Sequence, residues 1–468
     1  MADAESPSSP DPWGERLPRS LGLWSAVAVV VGSTIGSGVF ASPAEIARSI
    51  DTFGLFASAW VLGGAVALCG ALTLAELAAR IPRTGGLYVY MREAFGPVPA
   101  FLFGWAQLLI LRPAAYGAIA LVSSEYAFDL MGLDPNTPGL GPVTAVQLTA
   151  AAMIAIVGTI NFRGIRLGAI IQNASTVLKV GALLTIVVLG FVLTPGEVPP
   201  PDGAREAALA DRNTLSAFGL AMVSVLWAYD GWSDVGYLSG EVKDPQRALP
   251  RAFILGTASV VALYLLANAV YLAVVPLDQM HGRPLIAADV ARALLGPVGA
   301  TFVSGAVMVS TFGTLNGSMM TGPRIFFAMS EDRLFFDRIG RVHPRHGTPA
   351  GAIAMSTGLG MLFVSVSSFG TLADQFVIGI WPFYALGVAA VFRLRAARGR
   401  PEDGQYRTWG YPVVPLVFLA AALFLLGNYM IGEPLKFFGN LGVVAAGYPV
   451  FLYWRRRAAD AAAQQGQP

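Results

Sequence analysis

The sequence alternates between long apolar blocks and short polar interruptions. Each apolar block runs for roughly 20 residues or more, the length that an α-helix needs to cross the hydrocarbon core of a bilayer. The interruptions carry turn residues, as in Asp134 to Pro142 and Pro195 to Gly203. The pattern predicts an all-α polytopic membrane protein. We predict twelve transmembrane helices, at residues 21–46, 54–79, 97–128, 143–161, 167–194, 213–241, 249–275, 297–330, 349–367, 372–394, 411–431 and 436–454.

Polar segments flank the apolar blocks. Residues 1–20 are rich in Ser, Pro, Asp and Glu, which predicts a disordered tail and not a cleaved signal peptide. Between the tails, we expect the chain to divide into spans one to five at 21–194, an external loop at 195–212, spans six to ten at 213–395, spans eleven and twelve at 396–458, and a tail at 459–468.

Composition excludes several classes of protein. Hydrophobic residues make up 55% of the chain and charged residues only 13%, whereas a soluble domain carries about 25% charged residues. The single cysteine, Cys69, lies in an apolar block, which argues against a disulfide framework or a Cys-based metal site. The three histidines, His281, His343 and His346, lie in predicted loops, so we expect no metal or general-base cluster in the membrane. We therefore expect no enzyme activity, no cofactor and no nucleic-acid partner.

The 31 Lys and Arg residues predict the orientation. Most of them fall on one side of the predicted spans, and such an excess marks the cytoplasmic side. Arg112 and Lys179 fall inside spans. The bias predicts a multi-pass protein of the inner cell membrane with both termini in the cytoplasm. The few basic residues on the other side are Arg48, Arg205, Arg212, Arg283, Arg292 and Lys436.

The first predicted span contains a cluster of small residues near its middle. The segment from Val31 to Phe40 includes Gly36, Ser37 and Gly38. Such a cluster is compatible with close helix packing, which is common in membranes, and also with a break in the helix. This span alone does not decide between the two.

The sixth predicted span favours a break. It contains the sequence Trp227-Ala228-Tyr229-Asp230-Gly231-Trp232-Ser233-Asp234. An acid at mid-membrane depth is stable only when it is buried in protein or faces a wet cavity. Interrupted spans at corresponding positions of two halves indicate a transporter site built from inverted repeats, and spans one and six are five apart.

A break at the glycine cluster of span one would expose main-chain groups on both sides. The outer half would begin with unpaired N–H groups and a partial positive charge, which suits a carboxylate. The inner half would end in free carbonyls near Thr34 and Ile35, and span six would leave free carbonyls near Trp227 and Ala228. Carbonyls suit an ammonium, so the site would fit a zwitterion. These considerations alone do not identify the ligand as an amino acid.

Several motifs follow one another in a specific order along the chain. The chain resembles, over roughly residues 20 to 455, the L-type amino acid transporter family of the amino acid–polyamine–organocation superfamily, and most of all its bacterial serine/threonine exchanger type. The motifs that carry the resemblance are Gly36-Ser37-Gly38-Val39-Phe40, Arg112-Pro113, Tyr229-Asp230-Gly231-Trp232, Gly240-Glu241-Val242-Lys243-Asp244-Pro245-Gln246-Arg247, Leu249-Pro250, Leu315-Asn316-Gly317, Gly322-Pro323-Arg324, His343-Pro344, Gly347-Thr348-Pro349 and Tyr406-Arg407-Thr408-Trp409-Gly410-Tyr411-Pro412.

The resemblance implies a fold and a set of site residues. The fold is a five-plus-five inverted repeat, with spans one and six unwound in mid-membrane and spans eleven and twelve outside the repeat. Trp227 would act as a thin outer gate whose indole restricts the pocket to small side chains. Eukaryotic relatives join a glycoprotein through an external cysteine, so we expect no disulfide-linked heavy subunit here. The implied substrate-binding residues are Thr34, Ile35, Gly36, Ser37, Gly38, Trp227, Ala228, Asp230 and Ser233.

Charged residues inside the spans need separate interpretations. Lys179 lies roughly 18 Å from either end of span five, too deep to reach an interface, so it must face the protein interior. The resemblance places it where sodium-coupled relatives bind an ion, and we expect it to replace sodium; a structural lysine is the alternative. We expect Arg112 to form an internal pair rather than contact substrate. For Asp230 we favour helix capping over proton transfer, and the sequence leaves the role of Asp234 open.

Together these features predict a secondary active transporter of small neutral amino acids that works by alternating access, with sodium-independent exchange. A proton-coupled amino acid symporter, or a carrier of cationic amino acids or polyamines with the same fold, is the alternative. A channel is disfavoured because repeated pore motifs and charge rings are not seen in the sequence. A sensor is disfavoured because the tails are too short for an output domain.

Overall fold

The computed structural model describes residues 19–50, 52–193, 214–281, 283, 285–336 and 338–465. The predicted external loop at 195–212, residues 1–18 of the predicted N-terminal tail and residues 466–468 of the predicted C-terminal tail lie outside the described residues. The α-helices are α1 (Leu23–Thr34), α2 (Gly38–Ser49), α3 (Phe53–Arg80), α4 (Leu87–Phe95), α5 (Pro97–Ala106), α6 (Arg112–Met131), α7 (Ala145–Phe162), α8 (Ile165–Leu193), α9 (Thr214–Ala228), α10 (Pro245–Val274), α11 (Leu277–Met280), α12 (Ile286–Thr321), α13 (Pro323–Glu331), α14 (Ala350–Val364), α15 (Phe369–Arg398), α16 (Val413–Gly432), α17 (Pro434–Ala445) and α18 (Gly447–Gln465).

Four short elements of other kinds complete the described structure. A π-helix at Gln107–Leu111 joins α5 to α6, and a 3-10 helix covers Asp234–Glu241. Two strands, β1 (Pro138–Leu140) and β2 (Val143–Thr144), form an antiparallel hairpin before α7. The Thr144 side chain and Gln147 cap α7 reciprocally, so the hairpin leads directly into that helix.

Ten helical segments of the described chain are long and apolar enough to cross a membrane. Two shorter apolar helices, α9 and α14, lie where we predict spans six and nine. Many large apolar side chains on the outer faces of the helices are exposed, for instance Val192 on α8, Leu423 on α16 and Ile431 at the end of α16. Such side chains are stable against lipid, so the protein is an integral multi-pass membrane protein.

The structure refines the predicted elements in three places. The short link that we expect between spans two and three is instead the helix α4, whose residues Leu87 to Met91 are buried. The chain is already helical at Ile286, ahead of the predicted start of span eight, and it kinks at Gly296 (φ 67°) where Pro297 follows. Helix α18 continues to Gln465, past the predicted end of span twelve.

Four helices surround the first predicted span. Helix α1 packs against α8, α10 and α12, and α2 packs against α9. The chain between α1 and α2, residues 35–37, is not helical. Helices α1 and α2 belong to the same predicted span but contact different neighbours. The space between them is enclosed by α6, α9 and α12. The candidate site lies in this space.

Candidate functional site

Two interruptions of helical structure face each other. Helix α1 ends at Thr34 and α2 begins at Gly38, while α9 ends at Ala228 and the 3-10 helix begins at Asp234. Gly231 adopts φ +105°, a conformation that favours glycine, and a Cβ built on it would lie 2.7 Å from the carbonyl carbon of Ser33. The two main chains therefore touch at the point where both helices are interrupted.

A cavity, which we call the central cavity, opens beside this contact. It includes six of the predicted site residues, whereas Ile35, Ala228, Ser233 and Lys179 do not line it. Residues from α6, α12 and α15 complete its wall. Its lining is Ser33, Thr34, Gly36, Ser37, Gly38, Arg112, Ala115, Ile119, Trp227, Asp230, Gly231, Asp234, Thr314, Ser318 and Phe376.

The start of α2 supplies main-chain donors to the cavity. Ser37 is the N-cap residue, and its side chain makes no capping hydrogen bond. Its carbonyl accepts the N–H groups of Phe40 and Ala41 at 3.2 and 2.9 Å, while the first N–H groups of a helix have no acceptor within it. Those donors and the helix dipole favour a negatively charged group, such as a carboxylate, at this point.

The carbonyls on the other side of the break have partners, contrary to the expectation that they are free. The Tyr264 hydroxyl donates to the Thr34 carbonyl at 2.7 Å. The Ile35 carbonyl accepts from Thr314 at 2.8 Å, from Ser310 at 3.2 Å and from Lys179 at 2.7 Å. A carbonyl has two lone pairs, so the Thr34 carbonyl retains one for a further donor, whereas the Ile35 carbonyl is filled.

Carbonyls at and beyond the end of α9 also have hydrogen-bond partners. The Asp230 N–H donates to the Trp227 carbonyl at 3.1 Å, and the Asp234 N–H donates to the Gly231 carbonyl at 3.0 Å. The chain between α9 and the 3-10 helix therefore continues as a series of turns, with partners for these two carbonyls. The Trp227 carbonyl keeps one lone pair for a ligand donor.

Lys179 is buried in the core behind the break, as its depth in the span predicts. Only 1% of the residue is exposed. Its ammonium donates to the Gly32 and Ile35 carbonyls at 2.8 and 2.7 Å and to the Thr314 hydroxyl at 2.8 Å. These three bonds use all three donors of the ammonium, and each partner is neutral. The cation is therefore held by dipoles, at the end of α1 where the helix dipole is negative.

Arg112 forms the internal pair that we expect, and its partner is Asp234. The two side chains approach to 3.6 Å and are both buried. The Arg112 guanidinium also donates to the Ser318 hydroxyl at 3.0 Å and to the Gln107 side chain at 3.1 Å. Thr321 donates to the second oxygen of Asp234 at 3.1 Å. The pair thus lies in a polar network that lines one wall of the cavity.

The local backbone explains how Arg112 enters that wall. The Arg112 N–H bonds to the Gln107 carbonyl five residues earlier, which makes a π-turn, and Pro113 follows at the start of α6. A proline has no N–H to donate to the preceding turn, so the helix is free to widen at this point. Such π-turns are frequent at functional sites.

Asp230 and Ser233 share one partner, Tyr384 of α15. The Tyr384 hydroxyl donates to the Asp230 carboxylate at 2.6 Å and lies 3.1 Å from the Ser233 hydroxyl. We expected Asp230 to cap the inner half of span six, but the 3-10 helix begins at Asp234 with Ser233 in the N-cap position. The side chain of Asp230 thus ties the break to α15.

An aromatic cluster separates the cavity from one end of the bundle. Trp227 packs edge-on against Phe376 and Phe369, with ring centroids 5.4 and 6.0 Å apart. Trp227 and Phe376 both line the cavity. These rings close the cavity on the side toward α2 and the start of α15.

Ion pairs join helices at the opposite end of the bundle. Arg92 of α4 bonds Asp332 at 2.6 Å, and Tyr88 donates to the same carboxylate at 2.7 Å. Arg324 of α13 pairs with Glu241 at 3.3 Å. Glu76 of α3 is fully buried and bonds Arg395 at 2.5 Å and Thr408 at 2.8 Å.

Several lining residues were not predicted from the sequence. Thr314 and Ser318 lie on α12 beside the motif Leu315-Asn316-Gly317, which was the signal that could have identified them. A Cβ built on Gly36 would lie 2.7 Å from the Thr314 side chain, so this approach requires a glycine. Tyr384 and Phe376 lie in an ordinary apolar stretch, and that stretch gives no such signal.

Comparisons with known proteins agree with a polytopic helical membrane protein. A family model described as amino acid permease matches residues 21–446. The chain is similar to the serine/threonine exchanger of Bacillus subtilis, with 33% identity over 95% of this chain and 98% of that protein. It is also similar to the human b(0,+)-type amino acid transporter 1, with 32% identity over 92% of this chain and 87% of that protein. The human cystine/glutamate transporter is 28% identical over 94% of this chain and 87% of its own length.

Proposed function

The chain belongs to the amino acid permease family, and from this we propose that it is a secondary active transporter that exchanges small neutral amino acids by alternating access. The observation that supports this most directly is the cavity between the two helix interruptions. It is lined by Ser37 and Gly38 at the start of α2, where N–H groups lack helical acceptors, and by Thr34 and Trp227, whose carbonyls each have one lone pair left. A zwitterionic amino acid carries both a carboxylate for such donors and an ammonium for such carbonyls.

In this proposal the substrate carboxylate binds the N–H groups of Ser37 and Gly38, beside Gly36. The ammonium binds the Thr34 and Trp227 carbonyls and is balanced by the Asp230 carboxylate, which lines the same cavity. Ile35 and Ala228 act indirectly: the Ile35 carbonyl holds Lys179, and Ala228 packs against Gly38. Ser233 acts through Tyr384 rather than by contact.

Exchange without sodium is supported by Lys179. A fixed ammonium already occupies the carbonyls of Gly32 and Ile35 at the interrupted end of α1, together with the Thr314 hydroxyl. Oxygen atoms of this kind would otherwise suit a hydrated or bare monovalent cation. With the lysine in place, sodium has neither a vacant set of ligands nor an uncompensated negative charge at this position.

Restriction to small side chains is supported by the aromatic cluster. Trp227 contacts Phe376 and Phe369, so the indole lies across the cavity with little free space around it. In the proposed cycle, Trp227 is the thin outer gate. The ion pairs Arg92–Asp332 and Arg324–Glu241 close the cytoplasmic side, where both chain termini lie.

The proposed architecture is twelve spans, with two inverted repeats of five spans each and spans eleven and twelve outside the repeat. The two interruptions in spans one and six support this arrangement, because they fall at equivalent positions of the two repeats. We propose the inner cell membrane as the location, and an amino acid and the lipid bilayer as the partners. Cys69 lies within α3, which supports transport without a disulfide-linked heavy subunit.

Counterflow in proteoliposomes tests the proposal. Uptake of labelled serine or alanine should require unlabelled amino acid inside the vesicles, and it should persist when sodium is replaced by N-methylglucamine. Vesicles without internal amino acid are the control. Uptake that is absent under all these conditions, while thermal-shift assays with the twenty amino acids show no binding, would contradict the proposal.

A second candidate is proton-coupled symport, which is supported by Asp230. Its carboxylate lines the cavity, is buried and accepts a hydrogen bond from Tyr384 at 2.6 Å. A titrating Asp230 would make uptake into empty vesicles depend on an inward proton gradient. Asp230→Asn would abolish that dependence, whereas in the exchanger the gradient has no effect in either variant.

A further inference from the structure

A second cavity lies on the other side of Trp227. It is formed by α2, α9 and α15, and the last two of these helices hold the aromatic cluster. Trp227 lines both cavities, so its indole is the partition between them. The residues that line this outer cavity are Ser42, Glu45, Val223, Ser224, Trp227, Phe369, Gly370, Ala373 and Asp374.

The outer cavity carries negative charge that the described residues neutralise only in part. Glu45 pairs with Arg48 at 2.9 Å, and Lys436, the nearby lysine at the start of α17, pairs with Glu433 at 3.3 Å. For Asp374, no ion-pair or hydrogen-bond partner is found in the part of the chain that the structure describes. A cleft lined by charge of one sign focuses the field of that charge, so the outer cavity attracts cations.

An independent observation also indicates a ligand. Ser42 lines the outer cavity, is 1% exposed, and its hydroxyl has no hydrogen-bond partner among the described residues. Leaving a buried hydroxyl without a partner is unfavourable. A ligand in the cavity would give Ser42 a partner at the same time as it neutralised Asp374.

We propose that the outer cavity is an entry site, at which an arriving amino acid binds through its ammonium to Asp374 before Trp227 admits it to the central cavity. The substrate ammonium supplies a positive charge that pairs with the Asp374 carboxylate. The ring faces of Trp227 and Phe369 also attract a cation. The Ser42 hydroxyl donates to the substrate carboxylate. The proposal rests on the proposed function, and it adds a step that acts on one side of the membrane only.

The entry site is tested by measuring exchange separately from the two sides of the membrane. In proteoliposomes with one orientation, Asp374→Asn should raise the external amino acid concentration for half-maximal exchange by about 5-fold or more, because the attraction for the ammonium is lost. The internal concentration for half-maximal exchange should not change, since the outer cavity does not face that side. An unchanged internal value also shows that the variant is folded.

Two further variants serve as controls. Asp374→Glu keeps the charge and should stay within about 2-fold of the wild-type external value. Asp134→Asn removes a charge from the loop on the same side of the bundle, and its side-chain oxygen can still accept the Asn136 N–H that Asp134 accepts at 2.8 Å. It should leave both values unchanged. An equal rise in Asp374→Asn and Asp134→Asn would overturn the entry site.

Thiol labelling is a second measurement that does not depend on transport. Ser224→Cys places a thiol in the outer cavity, and Cys69→Ser removes the only native cysteine. We compare the ratio of two labelling rates, that of a cationic methanethiosulfonate to that of an anionic one. This ratio should be higher in the protein that keeps Asp374 than in the same protein with Asp374→Asn. An equal ratio in the two proteins overturns the entry site, whatever the transport result.

The two proposals fail in different ways. Normal exchange with an unaltered external value in Asp374→Asn rejects the entry site and leaves the proposed function intact. The absence of exchange from either side in the wild-type protein rejects the proposed function, and the entry site with it.

Discussion

Lys179 bonds the carbonyl oxygen of Ile35 across the interruption between α1 and α2, with its Nζ 2.7 Å from that oxygen. The two residues lie on different helices, and Ile35 is the first residue after α1. The ammonium therefore fixes the position at which the helix stops. A change at Lys179 should consequently alter the central cavity without any direct contact with a substrate.

The first prediction concerns that bond. Lys179→Ala should lower exchange by about 10-fold or more, since the Gly32 and Ile35 carbonyls would each lose their charged donor and a hydrogen bond to a charged group contributes about 1.5–3 kcal/mol. Initial rates per reconstituted protein measure the effect. Leu178→Ala, at an exposed position next to it on α8, is the control and should exchange normally. Equal rates in the two variants would argue against a role for Lys179.

The second prediction concerns Gly38. The resemblance implies that Gly38 binds the substrate, but a Cβ built there would lie 2.3 Å from the Cα of Ala228. Gly38→Ala should therefore separate α2 from α9 and lower the thermal stability as well as substrate binding. Gly181→Ala adds a methyl group to a helix where no atom lies within 4 Å and should keep both properties. A Gly38→Ala protein of normal stability that fails to bind would instead favour direct substrate contact.

The broad architecture could be predicted from the sequence because its causes are local. Apolar blocks of about 20 residues define the membrane-spanning helices, and the depth of Lys179 in its span requires that it face the interior. The combination of glycines near Gly36 with an acid and a glycine at Asp230 and Gly231 indicated where helical structure stops. Each of these inferences depends on a short stretch of chain.

The hydrogen-bond partners of the carbonyls at the interruption of span one could not be predicted from the sequence. Tyr264 reaches Thr34, and Thr314 reaches Ile35, from helices far away in the sequence. Hydroxyl groups of this kind are common in membrane helices, and only the packing of α10 and α12 against α1 shows which of them is aimed at the interruption. The outer cavity, in which Asp374 has no ion-pair or hydrogen-bond partner among the described residues, depends on packing in the same way.

The third prediction concerns the gate. Trp227→Phe should admit amino acids with larger side chains, such as leucine or phenylalanine, because the smaller ring leaves space beside Phe376 and Phe369. Competition against labelled serine in counterflow measures the substrate range, and inhibition by leucine should strengthen by about 3-fold or more, as one or two methylene groups of added contact allow. Wild-type protein assayed in parallel is the reference. An unchanged preference would show that Trp227 does not limit side-chain size.

The last prediction separates the structural and the binding roles of the Arg112–Asp234 pair. The two side chains are buried 3.6 Å apart, so removing one partner leaves the other charge without compensation, which costs about 3–5 kcal/mol. Arg112→Gln and Asp234→Asn should each lower the midpoint of thermal unfolding in detergent. The double variant should be more stable than the sum of the two losses implies, because no unpaired charge remains. If the pair is structural only, the double variant also recovers exchange. Recovery of stability without recovery of exchange would mean that the charges themselves, which line the central cavity, act on the substrate. Strict additivity of the two stability losses would mean that Arg112 and Asp234 do not interact.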